Sequence, residues 1–128
     1  MIDHIDHIVL TTRDKAACIR FYVEVLGMQM TTFRTPTEER FAFKFGNQKI
    51  NVHEWGKEFT PRAHVAAPGT QDLCFIASTS LEKVVEKLKA SGIPILEGPV
   101  AKTGATGPIR SVYVRDPDLN LVEISVQA

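Results

Sequence analysis

The chain has 128 residues, of which 44% are hydrophobic and 23% are charged, as in an ordinary globular domain. A chain of this length buries enough apolar surface to fold without disulfides. Its 15 basic and 15 acidic residues give a net charge of zero, which argues against a nucleic-acid or anionic-membrane surface, since both require an excess of positive charge.

We expect neither a membrane span nor a signal peptide in this sequence. No segment holds the roughly 20 consecutive apolar residues that a membrane span needs, and the acidic N-terminal residues run directly into a predicted strand, unlike a signal peptide. Cys18 and Cys74 have neither zinc nor redox spacing, so we expect two small buried thiols. The sequence therefore predicts a cytoplasmic protein.

The first module, residues 4–55, is predicted to contain a strand, a helix and three further strands. Thr11 and Asp14 have capping-box spacing before an apolar stripe of helical period, and Gly27 ends that helix. Alternation and turn residues predict strands at residues 5–11, 28–33, 41–45 and 50–55, the last two forming a hairpin.

The second module, residues 70–126, has the same order of elements. Residues 56–69 contain two prolines and no periodicity, which predicts a connector. Thr79 and Glu82 form a second capping box, and Gly92 ends the second helix. Strands are predicted from residue 71 and at residues 93–96, 109–114 and 120–126, with a glycine-rich loop at residues 98–108.

The two modules repeat at an offset of 65 residues, which aligns His7 with Asp72 and Gly27 with Gly92. We therefore predict one α+β domain over residues 1–128, built from two tandem βαβββ modules. Each helix is expected to cover the outer face of a curled sheet, and the two opposite faces are expected to form a shared cleft.

Strand alternation predicts which side chains face that cleft. The apolar faces pack under the helices, which leaves His7, Asn51 or His53, Asp72 and Glu123 on the other face. Imidazole and carboxylate groups suit a divalent metal such as Mn²⁺, Fe²⁺, Ni²⁺ or Zn²⁺.

Each of these residues is also compatible with a structural role that involves no metal. His7 is equally compatible with a partly buried, hydrogen-bonded imidazole, and Asp72 with a turn residue. Glu123 stands among apolar neighbours, where an unpaired carboxylate is rare. Its alternative is a salt bridge with Arg110 or Arg115.

Three segments resemble the vicinal-oxygen-chelate superfamily, which includes glyoxalase I, bleomycin- and fosfomycin-resistance proteins and extradiol dioxygenases. The segments are residues 6–10, 21–28 and 112–124. The third is the most specific, because it follows the family's Asp-Pro-Asp-Gly-Asn ending before an apolar pair and a Glu, with Leu119 in place of Gly. Residues 51–54 and 98–100 look most like the glyoxalase-domain-containing protein five group and related bacterial virulence-associated proteins.

The resemblance implies metal ligands at His7 and Glu123, and a third at Asp72, where relatives usually have His. On the strand where glyoxalase I adds a carboxylate, this chain offers Asn51 and His53. We include His53 as a candidate ligand and Asn51 as a candidate substrate contact.

The implied function is a metal-dependent glyoxalase-like lyase or isomerase acting on a small α-oxygenated substrate, such as a thiol adduct of a 2-oxoaldehyde. Glu123 is the expected catalytic base, with Tyr113, Ser111 and Arg110 near the substrate. The alternatives are a non-catalytic, ligand-sequestering protein like the bleomycin-resistance proteins, or a thiol transferase of the fosfomycin-resistance type. A homodimer is expected, with sites built within one chain or across two exchanged modules.

Overall fold

The computed structural model describes all 128 residues, which divide into two compact units, Met1–Thr70 and Gln71–Ala128. Each unit contains a four-stranded sheet and a helix in the order βαβββ, which confirms the predicted α+β class and the repeated module. None of the helices has both the length and the apolar character that crossing a membrane requires.

The first unit has a mixed sheet in the strand order β1-β4-β3-β2. Strands β1 and β4 are parallel, and the other neighbours are antiparallel. Its elements are β1 at His7–Thr12, α1 at Lys15–Ile19, which continues as a π-helical turn over Arg20–Val25, β2 at Gln29–Arg34, β3 at Glu39–Phe45 and β4 at Gln48–Glu54.

Helix α1 is capped by Asp14 and not by the predicted Thr11, and the π-helical turn that continues it ends before Gly27. The Asp14 carboxylate accepts a hydrogen bond from the backbone N–H three residues later, at 3.1 Å. In the π-helical turn, Tyr22 is fully buried and its ring stacks on Phe43 of β3 at a centroid distance of 5.3 Å. Gly27 then takes a φ of 79°, which glycine adopts without strain. The apolar side of the first sheet is therefore covered by its own helix, as expected.

The second unit repeats this topology with the strand order β5-β8-β7-β6, in which β5 and β8 are parallel. Its helix is capped by Ser80 rather than by the predicted Thr79, because the Ser80 hydroxyl accepts a hydrogen bond from the N–H of Lys83 at 3.3 Å. Its elements are β5 at Asp72–Ile76, α2 at Leu81–Ala90, β6 at Glu97–Gly104, β7 at Gly107–Arg115 and β8 at Leu121–Gln127.

The predicted glycine-rich loop at residues 98–108 is wrong, since most of it is strand β6 and its hairpin to β7. The predicted strand at residues 93–96 is correspondingly absent. Gly98 lies at an irregularity in the β6–β7 register with a φ of 107°. A Cβ atom there would lie 2.4 Å from the carbonyl oxygen of Ser111. The glycine therefore permits a close approach of two strands, a use that sequence alone does not separate from a loop.

The turn before β8 is built around the buried carboxylate of Asp116. Its Oδ1 accepts hydrogen bonds from the N–H groups of Asp118 and Asn120, both at 2.9 Å, and its Oδ2 accepts one from the Asn120 side chain at 2.8 Å. The Asn120 Oδ1 in turn accepts the N–H of Gln71 at 2.8 Å. Leu119 has a φ of 68°, the left-handed conformation that explains why glycine is usual in this motif.

Replacing Gly98 with Ala is expected to lower the free energy of unfolding by more than about 2 kcal/mol, because the new methyl group would overlap a strand backbone. Urea denaturation measures this change. Gly92→Ala is the matched control, since Gly92 also has a positive φ but has no atom within 4 Å of an added Cβ. Equal losses in the two variants would contradict the close-approach explanation.

Candidate functional site

On the first sheet, the side opposite the helix carries His7, Asn51 and His53. Their neighbours on the paired parallel strand are Lys49, Val9 and Thr11, respectively. His7 and His53 are thus four strand positions apart, about 13 Å at the usual rise of a β-strand. The register therefore does not bring these two predicted ligands together.

His7 is oriented by its neighbour Asp6. The Nδ1 atom of His7 lies 2.8 Å from Oδ2 of Asp6. This hydrogen bond to His7 is the main cause that lowers the pKa of the Asp6 carboxyl. Because a carboxylate accepts and does not donate, Nδ1 carries the proton in this bond, and Nε2 is the ring nitrogen that Asp6 does not engage. A carboxylate on the outer nitrogen is the usual support of a metal-binding histidine.

Asn51 has a buried side-chain oxygen that makes no hydrogen bond. The residue stands between Val9 of β1 and Ala42 of β3, so neither neighbouring side chain offers a donor. A buried acceptor without a partner costs about 1–3 kcal/mol. An amide in this state is suited to accept a hydrogen bond from a ligand, which agrees in chemistry with its predicted role as a substrate contact.

His53 lies in a different environment from His7. Its ring meets the ring of Phe59 edge-on at a centroid distance of 4.8 Å, and the Arg40 guanidinium lies 3.3 Å from the centre of the same Phe59 ring. Burial lowers the pKa of His53, and the charge of Arg40 lowers it further, against the opposing charges of Glu58 and Glu38. The imidazole is therefore neutral near pH 7.

On the second sheet, the side opposite the helix carries a group that we call the Glu123 cluster: Glu123, Ser111, Ser125, Cys74 and Tyr113. The Ser111 hydroxyl donates to Oε2 of Glu123 at 2.6 Å and lies 2.7 Å from the Ser125 hydroxyl. The Ser125 hydroxyl lies 3.4 Å from Oε2 of Glu123 and 3.4 Å from the Cys74 sulfur. Both serines are fully buried, whereas Glu123 is half-buried.

Cys74 is exposed, so the prediction of two buried thiols is correct only for Cys18. Desolvation around the sulfur raises the pKa of the Cys74 thiol, and the charge of Glu123 raises it further. The same two causes raise the pKa of Tyr113, whose ring has the Lys102 ammonium at 5.6 Å. Both groups therefore keep their protons at neutral pH and can donate hydrogen bonds.

The two arginines proposed as partners of Glu123 have other partners. Arg110 is on the helix side of β7, where it lies 3.7 Å from Glu82 of α2. Arg115 donates to a backbone carbonyl at 3.3 Å. The structure therefore does not place Arg110 with the predicted substrate-binding residues.

Asp72 is exposed at the start of β5. It lies two positions before Cys74, the residue that pairs with Glu123 in the sheet.

Three residues of these polar faces are not among the predicted site residues: Ser125, Cys74 and Arg40. Strand alternation places Ser125 on the face of Glu123 and Cys74 on the face of Asp72, but it does not show that their side chains contact each other. Arg40 lies two positions before Ala42, the residue paired with Asn51, so it points to the same face. Its contact with Phe59, which lies in the predicted connector, could not be predicted from the sequence.

Side chains of the types that can ligate a metal are present in both units but are not gathered into a complete set in either. Neither unit contains three or more His, Cys, Asp or Glu side chains placed to hold a metal ion. The donor types nevertheless fit a divalent metal: an imidazole with its Nδ1 held by a carboxylate, and a carboxylate held by hydroxyls.

Comparisons with known proteins give one family. The model of the Glyoxalase/Bleomycin resistance protein/Dioxygenase superfamily matches residues 4–124. The chain is 54% identical over 125 residues to virulence protein STM3117 of Salmonella typhimurium, covering 98% of this chain and 85% of that protein. It is 50% identical over 121 residues to glyoxalase domain-containing protein RDO1 of Mycosarcoma maydis, covering 94% of this chain and 66% of that protein.

The fold is also found in solved structures. The crystal structure of the same Salmonella protein matches with a TM-score of 0.94 at 52% identity, covering 100% of this chain and 99% of that chain. An integron cassette protein from V. cholerae matches with a TM-score of 0.94 at 45% identity, covering 100% of this chain and 98% of that chain. These matches confirm the resemblance that the three sequence segments predicted.

Replacing His53 with Gln is expected to flatten the pH dependence of stability below about pH 6.5. Because the folded pKa of His53 is below its ordinary value of 6.5, the unfolded chain binds more protons in this window and stability rises with pH. The contribution is complete above pH 6.5 and is lost as the pH falls towards the folded pKa. Urea titrations at several pH values measure the slope, with His64→Gln as the control because His64 is exposed in the connector. An unchanged slope in His53→Gln would contradict the lowered pKa.

Proposed function

Because this chain belongs to the glyoxalase, bleomycin resistance protein and dioxygenase superfamily, we propose that it is a metal-dependent lyase or isomerase of the glyoxalase type. Its substrate in this proposal is a small α-oxygenated compound, such as the thiol adduct of a 2-oxoaldehyde. The observation that carries the proposal is the Glu123 carboxylate, which is half-buried on a largely apolar strand and is held by serine hydroxyls instead of an arginine. A carboxylate kept in this state is available to take part in chemistry.

The proposed metal ligands are His7, Glu123 and Asp72. His7 offers its Nε2 atom, because Asp6 holds the other ring nitrogen. Asp72 and Glu123 each offer an exposed or half-exposed carboxylate. His53 is left out because the sheet register separates it from His7 and because its ring packs against Phe59. When bound, the metal supplies Lewis-acid polarisation of two neighbouring substrate oxygens.

The residues of the Glu123 cluster have separate roles in this proposal. Glu123 moves a proton between adjacent carbons of the substrate as the general base. Tyr113 keeps its proton and donates a hydrogen bond to negative charge that develops on a substrate oxygen. Ser111 is fully buried and bonded to Glu123, so it acts on that carboxylate and does not contact the substrate.

Purified protein reconstituted with Ni²⁺, Zn²⁺, Mn²⁺ or Fe²⁺ is expected to retain a divalent metal, and His7→Ala and Glu123→Gln are expected to lose most of it. Elemental analysis after gel filtration measures the metal content. Matched controls are His64→Ala and Glu86→Gln, both at exposed positions away from the polar faces. A wild-type protein that retains no metal, or an equal metal content in all variants, would contradict the metal-binding part of the proposal.

The catalytic half is tested with methylglyoxal and glutathione. Formation of the thioester product by the reconstituted protein, with a drop of at least about 100-fold in kcat for Glu123→Gln, is expected for loss of a general base. Consumption of glutathione with fosfomycin as co-substrate instead would assign the thiol-transferase alternative.

A second candidate function is sequestration of a small ligand without catalysis. It is favoured by the absence of a complete ligand set within either unit, and by the buried Asn51 oxygen that makes no hydrogen bond. In this candidate the polar faces bind a ligand by hydrogen bonding and shape alone.

Thermal shift with S-lactoylglutathione, the thioester product, separates the two functions. For the lyase, the rise in melting temperature is expected to shrink when EDTA removes the metal, because the metal contributes to ligand binding. A shift that EDTA leaves unchanged would favour sequestration. The homodimer and the cytoplasmic location stay predictions.

A further inference from the structure

Cys74, Ser125 and Ser111 form a chain of hydrogen-bonding side chains that ends at Glu123. The separations are 3.4 Å from the Cys74 sulfur to the Ser125 hydroxyl, 2.7 Å from there to the Ser111 hydroxyl, and 2.6 Å from Ser111 to Oε2 of Glu123. The two serines are fully buried, and Cys74 is exposed. The chain therefore runs from the surface of the second unit to its half-buried carboxylate.

The direction of this chain is fixed by proton counting. An ionised carboxylate only accepts hydrogen bonds, so the single hydroxyl proton of Ser111 points to Glu123. Ser111 can then only accept from Ser125. The single Ser125 proton is assigned to this bond because the contact with Ser111, at 2.7 Å, is much shorter than the 3.4 Å contact of Ser125 with Oε2 of Glu123. With its proton used, Ser125 is the acceptor at 3.4 Å from the Cys74 sulfur, whose thiol is a weak donor. Every proton in the chain thus points towards Glu123.

Ordinary packing does not explain this arrangement. A buried serine usually bonds to a backbone group of its own strand or turn, whereas these two hydroxyls bond to each other, and Ser111 also bonds to the Glu123 carboxylate. The distance of 2.6 Å from Ser111 to Glu123 is also at the short end for hydroxyl bonds, as expected when the acceptor is charged.

We propose that Ser111 and Ser125 are positioning residues for Glu123, with Cys74 as the outer donor that orients Ser125. This inference rests on the proposed function for its consequence, since a fixed carboxylate matters because Glu123 binds metal and moves protons. Groups that hold a metal ligand in place typically contribute 10- to 100-fold to metal affinity.

Zinc affinity tests the proposal with four variants. Competition against a chelating dye is expected to show a loss of about 10-fold or more for Ser111→Ala and Ser125→Ala. Cys74→Ala is expected to lose about two- to threefold, in keeping with a weak donor. Cys74→Ser, which keeps a donor at that position, is expected to retain wild-type affinity. Ser78→Ala is the matched control, because Ser78 is exposed outside the strands of the second unit.

Proton NMR gives a readout that needs neither metal nor activity. A hydroxyl proton held between Ser111 and a carboxylate is expected to exchange slowly and to resonate downfield. The signal should vanish in Ser111→Ala, move upfield in Glu123→Gln and stay unchanged in Ser78→Ala. Because Cys74 is exposed, its variants should fold even where a substitution of a buried serine does not.

The outcomes separate this inference from the proposed function. Wild-type protein that binds zinc, with unchanged affinity in folded Ser111→Ala and Ser125→Ala, would overturn the positioning role and leave the proposed function intact. Wild-type protein that binds none of Ni²⁺, Zn²⁺, Mn²⁺ and Fe²⁺ would refute the metal-dependent function, and the NMR signal would then decide the inference alone. Its presence, with loss in Ser111→Ala, would support the positioning chain, and its absence would overturn it.

Discussion

In the second unit, a single side-chain amide joins the start of the first strand to the start of the last. Asn120 accepts the backbone N–H of Gln71 at 2.8 Å, and the buried Asp116 carboxylate holds that amide in place. The bond sets the register of β5 against β8, so that Cys74 stands beside Glu123. Because side chains alternate, a slip of one residue in β8 would send Glu123 to the apolar side under the helix. Desolvating a carboxylate there would cost several kcal/mol, so the register and the Glu123 cluster support each other.

The first unit uses the same strand order for different chemistry. Its polar face offers nitrogen-bearing side chains, His7, Asn51, His53 and Arg40, whereas the second unit offers a carboxylate, two hydroxyls and a thiol. The repeated scaffold therefore fixes where polar side chains stand and leaves their type free. The pair at the starts of the two modules, His7 and Asp72, shows this directly, because equivalent strand positions carry a base in one module and an acid in the other.

Much of the architecture could be predicted because alternation has a period of two and survives small errors in strand ends. For this reason the sequence predicts the strands that carry His7, Asn51, Asp72 and Glu123. It also predicts that one face of each sheet is polar. The same rule excludes Arg110 from the polar face, since adjacent residues on a strand point to opposite sides and Ser111 lies on the polar one.

Features that depend on pairing between distant strands could not be predicted. The separation of His7 from His53 follows from the β1–β4 register, which has no local signal in the sequence. The bond from Ser111 to Glu123 likewise depends on the pairing of β7 with β8. Gly98 is predicted to lie in a loop but lies in β6, because a glycine that lets two strands approach has the same local sequence pattern as a glycine in a loop.

The position of β8 has a consequence for synthesis on the ribosome. It is an interior strand of its sheet, and it is made after every other strand of the second unit. Until residues 121–127 emerge, β5 has no partner strand. At 5–20 residues per second, this interval lasts about 2–10 s. All strands of the first unit have already been made by then, so the unpaired strand lies in the half of the chain that carries Glu123.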